Sequence, residues 1–334
     1  MPPRLPISCS VVAPKPTRPT TFFLRRRLYS SDSSSAAPLV TVTNLASPNS
    51  GHIRVLELNR PDARNAISRS LLASLRAEID DVRDQYGPRG EELPTHPDLG
   101  PTRALIVASA VDTCFCAGAD LKERRTFTEK ETANFLSDLR STFTALSDLP
   151  IPTISAISSI ALGGGLELAL STHFRVLSSN AAVGLPETRL GIIPGAGGTH
   201  RLPALIGLSR ARDLILTGRR VSAPEAYFLG IADRLVEVTV DPAHQKEGET
   251  SKTNEELAAE ELSLSRRYAL AEAVRFAQEI CEGGPVATRA ALQAVAWARE
   301  EKENEMYQRV VDTDDRNEAL NAFAEKRKPV FKGR

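Results

Sequence analysis

The chain has 334 residues, with 42 basic against 42 acidic, 41% hydrophobic and 25% charged. These are the proportions of a globular protein, and no apolar run is long enough to span a membrane, so no membrane partner is expected. Cys9, Cys114, Cys116 and Cys281 form no CxxC pair, and no His/Cys cluster has metal-ligand spacing, so reduced thiols and no metal site are expected.

The first 37 residues stand apart. Arg4, Lys15, Arg18, Arg25, Arg26 and Arg27 occur with many Ser and Thr, and no acidic residue precedes Asp32. This is the composition of an organelle transit peptide. The tract Arg27-Leu28-Tyr29-Ser30 resembles a mitochondrial processing site, with cleavage near Tyr29 and a matrix destination. Six prolines before residue 20 keep open the alternative of a basic tail, because they prevent a long amphipathic helix. Residues 331–334 are not a peroxisomal address. Loss of residues 1–29 would leave 36 basic against 42 acidic residues, which is not the footprint of a nucleic-acid binder.

Residues 53–58 read as a strand, followed by a loop over 59–66. A helix is expected over 68–86, with Leu71, Leu72, Leu75, Ile79 and Val82 on one stripe. Residues 87–101, rich in Pro, Gly and charge, predict a surface excursion. The unbroken apolar run 104–109 predicts a strand buried on both faces. Residues 112–125 follow it as a loop whose small residues, Ala117-Gly118-Ala119, would let a ligand approach the main chain, with a plain turn as the equal alternative. Cys114 and Cys116 read as buried fillers. Thr128 and Glu131 form a capping-box pattern for a helix running to about 146.

The informative stretch is 156–198. A strand over 153–157 meets Gly163-Gly164-Gly165, and an apolar helix over 166–170 carries Glu167. Glycines at a helix start leave N–H groups free at a positive helix end, where developing negative charge is stabilised. A glutamate flanked by Leu166, Leu168, Ala169 and Leu170 is expected to be buried, and a buried carboxylate needs a partner or a task. Two short strands over 174–177 and 181–184 lead to a turn bearing Glu187 after Pro186. Gly197-Gly198-Thr199 opens another helix to about 206, without a nucleotide-binding glycine pattern. Further helices are expected over 209–217, from a Ser222 cap, and over 256–281, 285–299 and 314–325, with a strand over 235–238 and a polar excursion over 241–254.

Three blocks, residues 115–124 (FCAGADLKER), 161–170 (ALGGGLELAL) and 186–203 (PETRLGIIPGAGGTHRLP), together resemble the crotonase superfamily of enoyl-CoA hydratases and isomerases. The resemblance runs from about residue 53 to the C-terminus. It implies an α/β fold: a spiral of ββα repeats over 50–258, with a C-terminal helical oligomerisation region over 259–334 that builds trimers or dimers of trimers. It implies an acyl-CoA substrate and no separate cofactor, coenzyme A being part of the substrate. The thioester oxygen would sit between the N–H groups of Ala119 and Gly164. Ala117, whose carbonyl would meet the adenine, and Gly118, Asp120, Leu121, Lys122, Gly163, Pro186 and Gly195 would bind the CoA thioester. Glu167 and Glu187 match the glutamate pair with which hydratases grip a water, whereas many isomerases of the family keep one. The implied reaction is hydration of an enoyl-CoA, with Glu167 as base and Glu187 as proton donor. The motifs are most similar to the branch acting on methylglutaconyl-CoA in leucine catabolism, with a broad short-chain hydratase of fatty-acid β-oxidation as the alternative. Lys122, Arg124 and Arg125 are candidates for the distal carboxylate of such a diacid. RNA binding, which that branch also raises, is set behind, because Arg69, Arg76 and Arg83 are opposed by Glu78, Asp80, Asp81 and Asp84. Thr172-His173, Ser159 and His200 depart from the family pattern, and His173 is expected to be structural.

Overall fold

The computed structural model describes residues 37–94, 99–238 and 253–334. The expectations of a transit peptide and its processing site, and nearly all of the 241–254 excursion, lie outside the described residues. An antiparallel pair, β1 (Val40–Ala46) and β2 (His52–Leu58), starts the fold and leads into α1 (Arg69–Arg83). The next turn holds β3 (Thr102–Ser109), β4 (Cys114–Cys116), the short α2 (Leu121–Arg124) and α3 (Glu129–Ser147). Then come β5 (Thr153–Ile157), β6 (Ile160–Leu162) and α4 (Gly164–Leu170). They are followed by β7 (Phe174–Ser178), β8 (Ala182–Gly184), a 3-10 turn (Glu187–Leu190), α5 (Gly198–Ile206) and α6 (Leu208–Thr217). β9 (Arg220–Ser222), α7 (Ala223–Leu229) and β10 (Arg234–Val236) close the spiral. Four helices follow: α8 (Asn254–Cys281), α9 (Pro285–Trp297), α10 (Glu300–Val311) and α11 (Asp314–Glu325).

After the β1–β2 pair, which lies wholly in the large sheet, each successive pair of strands gives one strand to each of two sheets. The large sheet has the order β1-β2-β3-β5-β7-β10, parallel from β2 onward. The small sheet has the order β4-β6-β8-β9, with β4, β6 and β8 parallel. This is the spiral of ββα repeats that the motifs implied. β3 is buried along its whole length: Leu105 and Val107 face the interior cluster, while Ile106 and Ala108 face a second cluster containing Ala273, Ala277 and Cys281 of α8. The four-residue spacing puts those three small side chains on one helix face, so the helix can lie close to the sheet.

The helix ends follow their caps. Ser68 accepts from Leu71 N–H at the start of α1, and Thr128 with Glu131 forms the expected capping box of α3. Four features differ from, or add to, the expectations. The fold begins at β1, ten residues before the expected 50, because β1 is a half-exposed edge strand with a weak apolar pattern. The expected loop 112–125 contains a three-residue strand and a one-turn helix, both too short to show periodicity. The expected boundary at 258/259 falls inside α8, whose later half packs on the large sheet. α10, dense in charge, was not anticipated. The described part of the 87–101 excursion is strapped down: Arg289 of α9 donates to Gly90 O at 2.9 Å and pairs with Glu92 at 2.7 Å.

Candidate active site

The parallel strands β4, β6 and β8 end on one edge of the small sheet, so the segments that follow them meet. Those segments are residues 117–119, 163–164 and 186–187, and together they line a cavity of about 460 Å3. Leu121 and Gly195 also reach its wall. Of the expected site residues, Asp120, Lys122 and Arg125 do not line it. Asp120 instead caps α2, accepting from Lys122 and Glu123 N–H at 3.0 and 3.1 Å, and it pairs with Arg60 at 2.7 Å. Burial opposes its charge, but these partners hold its carboxyl below the usual range. It shapes the loop and does not face the cavity. Lys122 points to solvent.

The two backbone donors lie side by side. Gly164 is the first residue of α4, so its N–H has no acceptor within the helix. Around Ala119, the Gly118 carbonyl and the Asp120 N–H are both taken up by Ile67, which leaves the Ala119 N–H between them. The close approach is set by glycine. Gly118 has φ +94°, and a Cβ there would lie 2.8 Å from Leu162 O and 3.3 Å from Gly164 N. A Cβ on Gly165 would lie 2.2 Å from Cys116 O, so only glycine lets α4 press against β4.

Glu167 and Glu187 both face the cavity, at 3% and 8% exposure. Glu167 Oε1 accepts from Ala196 N–H at 2.7 Å and Gly198 N–H at 2.9 Å. Burial pushes its carboxyl above the usual range, and these two N–H groups, with Arg201 and Arg140, pull it back. Glu187 has less support, a backbone N–H of its own residue that only partly offsets its burial. Its Oε2 is buried without a hydrogen-bond partner among the described residues. Burial first, and the neighbouring Glu167 charge as well, push its carboxyl up to about 7. Both carboxyls thus lie above the ordinary range, Glu187 at about 7, and at Glu167 the two N–H groups and the two cations oppose the rise.

Three contributors escaped the sequence reading. Asn65 is fully buried with φ +54°; its Nδ2 donates to Ser109 Oγ at 2.8 Å and Phe115 O at 3.0 Å, and its Oδ1 accepts from Arg60 N–H. It pins the 60–67 loop behind the donor segment. Asparagine is, after glycine, the usual occupant of that backbone region, which was the available signal. Arg140 of α3 donates to Gly195 O at 2.6 Å, and Arg201 of α5 to Ala196 O at 3.0 Å. Arg140 carried no local signal, and Arg201, though inside the block 186–203, was given no role. Cys114 and Cys116 are buried fillers, their thiols pushed by burial to about 11 and about 12. His173 is structural: its Nδ1 accepts from Thr153 N–H, and burial lowers its basicity to about 4.

A ββα spiral whose strand ends set two backbone donors beside two buried carboxyls defines a class of proteins that act on activated acyl groups. The chain belongs to the enoyl-CoA hydratase/isomerase family, whose model matches residues 49–334. It is 62% identical to methylglutaconyl-CoA hydratase 1, mitochondrial, of Pyricularia oryzae, over 99% of this chain and 97% of that one. It is 56% identical to an enoyl-CoA isomerase/hydratase of Zymoseptoria tritici, over 92% and 91% of the two chains. The crystal structure of an enoyl-CoA hydratase from Bacillus anthracis superposes with a TM-score of 0.72 at 35% identity, covering 89% of this chain and all of that one.

Proposed function

We propose that the chain is a hydro-lyase that adds water across the α,β double bond of methylglutaconyl-CoA to give hydroxymethylglutaryl-CoA, a step of leucine catabolism. The observation that carries hydration is the pair of buried glutamates in one cavity beside the backbone of Ala119 and Gly164. The name of the Pyricularia oryzae relative supports the acyl group.

In this reading the thioester oxygen lies between Ala119 N–H and Gly164 N–H. Glu167 takes a proton from water as the oxygen attacks the β-carbon, and charge moves onto the thioester oxygen. Each donor there is worth about 3–4 kcal/mol. Glu187 then gives its proton to the α-carbon, the double bond having become the new C–O and C–H bonds. Both hydrogen bonds to Glu167 fall on Oε1, which leaves Oε2 for the water. General acid–base help of this kind is worth about 10²–10⁴-fold. Coenzyme A enters as part of the substrate, and no step needs a further cofactor.

Of the three candidate cations for the distal carboxylate, Arg124 lines the cavity, whereas Lys122 and Arg125 do not. Arg124→Ala is expected to reduce discrimination between methylglutaconyl-CoA and crotonyl-CoA. The apolar wall of Leu121, Leu136, Leu139, Leu190, Ile192 and Ile193 favours the second reading, a broad short-chain enoyl-CoA hydratase. RNA is not part of the proposal: Arg69, Arg76 and Arg83 of α1 are held by Glu131, Asp80 and Asp84. We assign the protein to the mitochondrial matrix, supported by the basic leader composition and by the relative named mitochondrial. A trimer or dimer of trimers is supported by exposed apolar side chains on α9 to α11, among them Val295, Trp297, Tyr307 and Phe323, the last 86% exposed.

The test is hydration of methylglutaconyl-CoA and crotonyl-CoA side by side. A higher kcat/KM for the branched diacid is expected. A preference for crotonyl-CoA would move the protein to β-oxidation, and no hydration of either would overturn the assignment.

A further inference from the structure

We propose that Arg140 and Arg201 are positioning residues that clamp the 195–198 loop from two sides and so keep Glu167 as the charged member of the glutamate pair. The inference rests on the hydratase reading above and adds two residues to it.

The geometry is a short relay. Arg140 Nε reaches Gly195 O from α3 at 2.6 Å, and Arg201 Nη1 reaches Ala196 O from α5 at 3.0 Å. Two N–H groups of the same loop point the other way: Ala196 N–H, in the peptide unit of the Gly195 carbonyl, and Gly198 N–H, one peptide beyond the Ala196–Gly197 unit that Arg201 holds, both end on Glu167 Oε1, at 2.7 and 2.9 Å. The carbonyl of Gly195 and the N–H of Ala196 belong to one planar peptide unit, so fixing the oxygen fixes the donor. Arg201 is also seated over the loop itself. A Cβ on Gly197 would lie 2.0 Å from its Nη1. The clamp supplies two positive charges next to a buried carboxylate without forming an ion pair that would block its reacting oxygen. Both guanidinium groups hold charge near Glu167, and the Glu167 charge in turn pushes Glu187 toward its acid form. The two N–H groups alone already favour charge on Glu167, and the two guanidinium groups add to that preference.

The charged groups around Glu167 are Glu187 from the turn after β8, Arg140 from α3, Arg201 and His200 from α5, and Arg124 from α2 across the cavity. Asp148 at the end of α3 acts on Arg201 in the opposite sense. His200 is held toward its neutral form by burial and by Arg201, so it adds little charge.

The test is the pH profile of kcat/KM for the full chain. Loss of a cation near Glu167 raises the pH at which the pair accepts a proton, so the acidic limb should move up by about one pH unit in Arg140→Gln and Arg201→Gln. Arg140→Lys and Arg201→Lys keep the charge and should return the limb most of the way. Asp148→Asn, at an exposed site where folding is not at risk, should move the limb slightly down. KM should change less than kcat. A limb unmoved in the Gln variants and in Asp148→Asn, with kcat lowered equally at every pH, would overturn the inference and leave a packing role only. The same protonation is read without turnover from carboxyl infrared bands assigned by Glu167→Gln and Glu187→Gln. Absence of hydration would therefore sink the functional reading while the infrared titration still decides this one.

Discussion

In the large sheet, β2, β3, β5 and β7 run five to eight residues; every strand of the small sheet has three. The large sheet is covered on both faces, by the spiral interior and by α8, and its middle strands hold two separate apolar clusters. The small sheet spends little length on pairing and delivers three chain ends to one edge. Stability therefore concentrates in one sheet and chemistry at the rim of the other. A substitution should damage one property far more than the other, according to the sheet it touches.

The largest separation should come at the rim. Glu167→Gln is expected to lower kcat by about 10²–10⁴-fold with the urea midpoint close to wild type. Ile106→Ala, deep between β3 and α8, is expected to do the reverse, costing about 2–5 kcal/mol of stability by urea unfolding while kcat of the folded fraction holds. Gly165→Ala sits where the two regions meet. Its new methyl would strike the Cys116 carbonyl, and a loss of about 1–3 kcal/mol should accompany a fall in kcat, since the Ala119 donor lies in the segment that follows β4.

A subtler separation is a matter of pH. The folded-state pKa of Glu187, about 7, lies above the ordinary value of 4.5. Its contribution to stability is therefore fully present below about 4.5 and lost as pH rises through 7. Glu187→Gln removes that loss, so urea midpoints should show the variant gaining on wild type at pH 8 relative to pH 5. Equal differences at both pH values would mean that Glu187 is not held protonated by its seat. The smallest effect is expected at Lys122→Ala, an exposed residue outside the cavity, where substrate discrimination should stay within about two-fold of wild type.

The same contrast explains what the sequence revealed. β3 was legible because burial on both faces leaves the apolar run 104–109, and α1 and α3 because caps and stripes agree. The donor segment and both glutamates were legible because close backbone approach demands glycine and because a glutamate among leucines is out of place. β4 was not, since three residues show no period, and β1 was not, since a half-exposed edge strand blurs its alternation. The roles of Arg140 and Arg201 stayed hidden for a different reason. Each is an ordinary arginine on a surface helix, and Arg140 acts on a carbonyl 55 residues away that only the spiral brings near.

The most direct measurement is turnover of methylglutaconyl-CoA in deuterium oxide, followed by mass analysis of the product for wild type and for Glu187→Gln. The expected wild-type product has gained water and one non-exchangeable deuterium on the α-carbon, while the variant gives little product. A wild-type product with the mass of the substrate, or equal turnover by the variant, would contradict hydration by the glutamate pair.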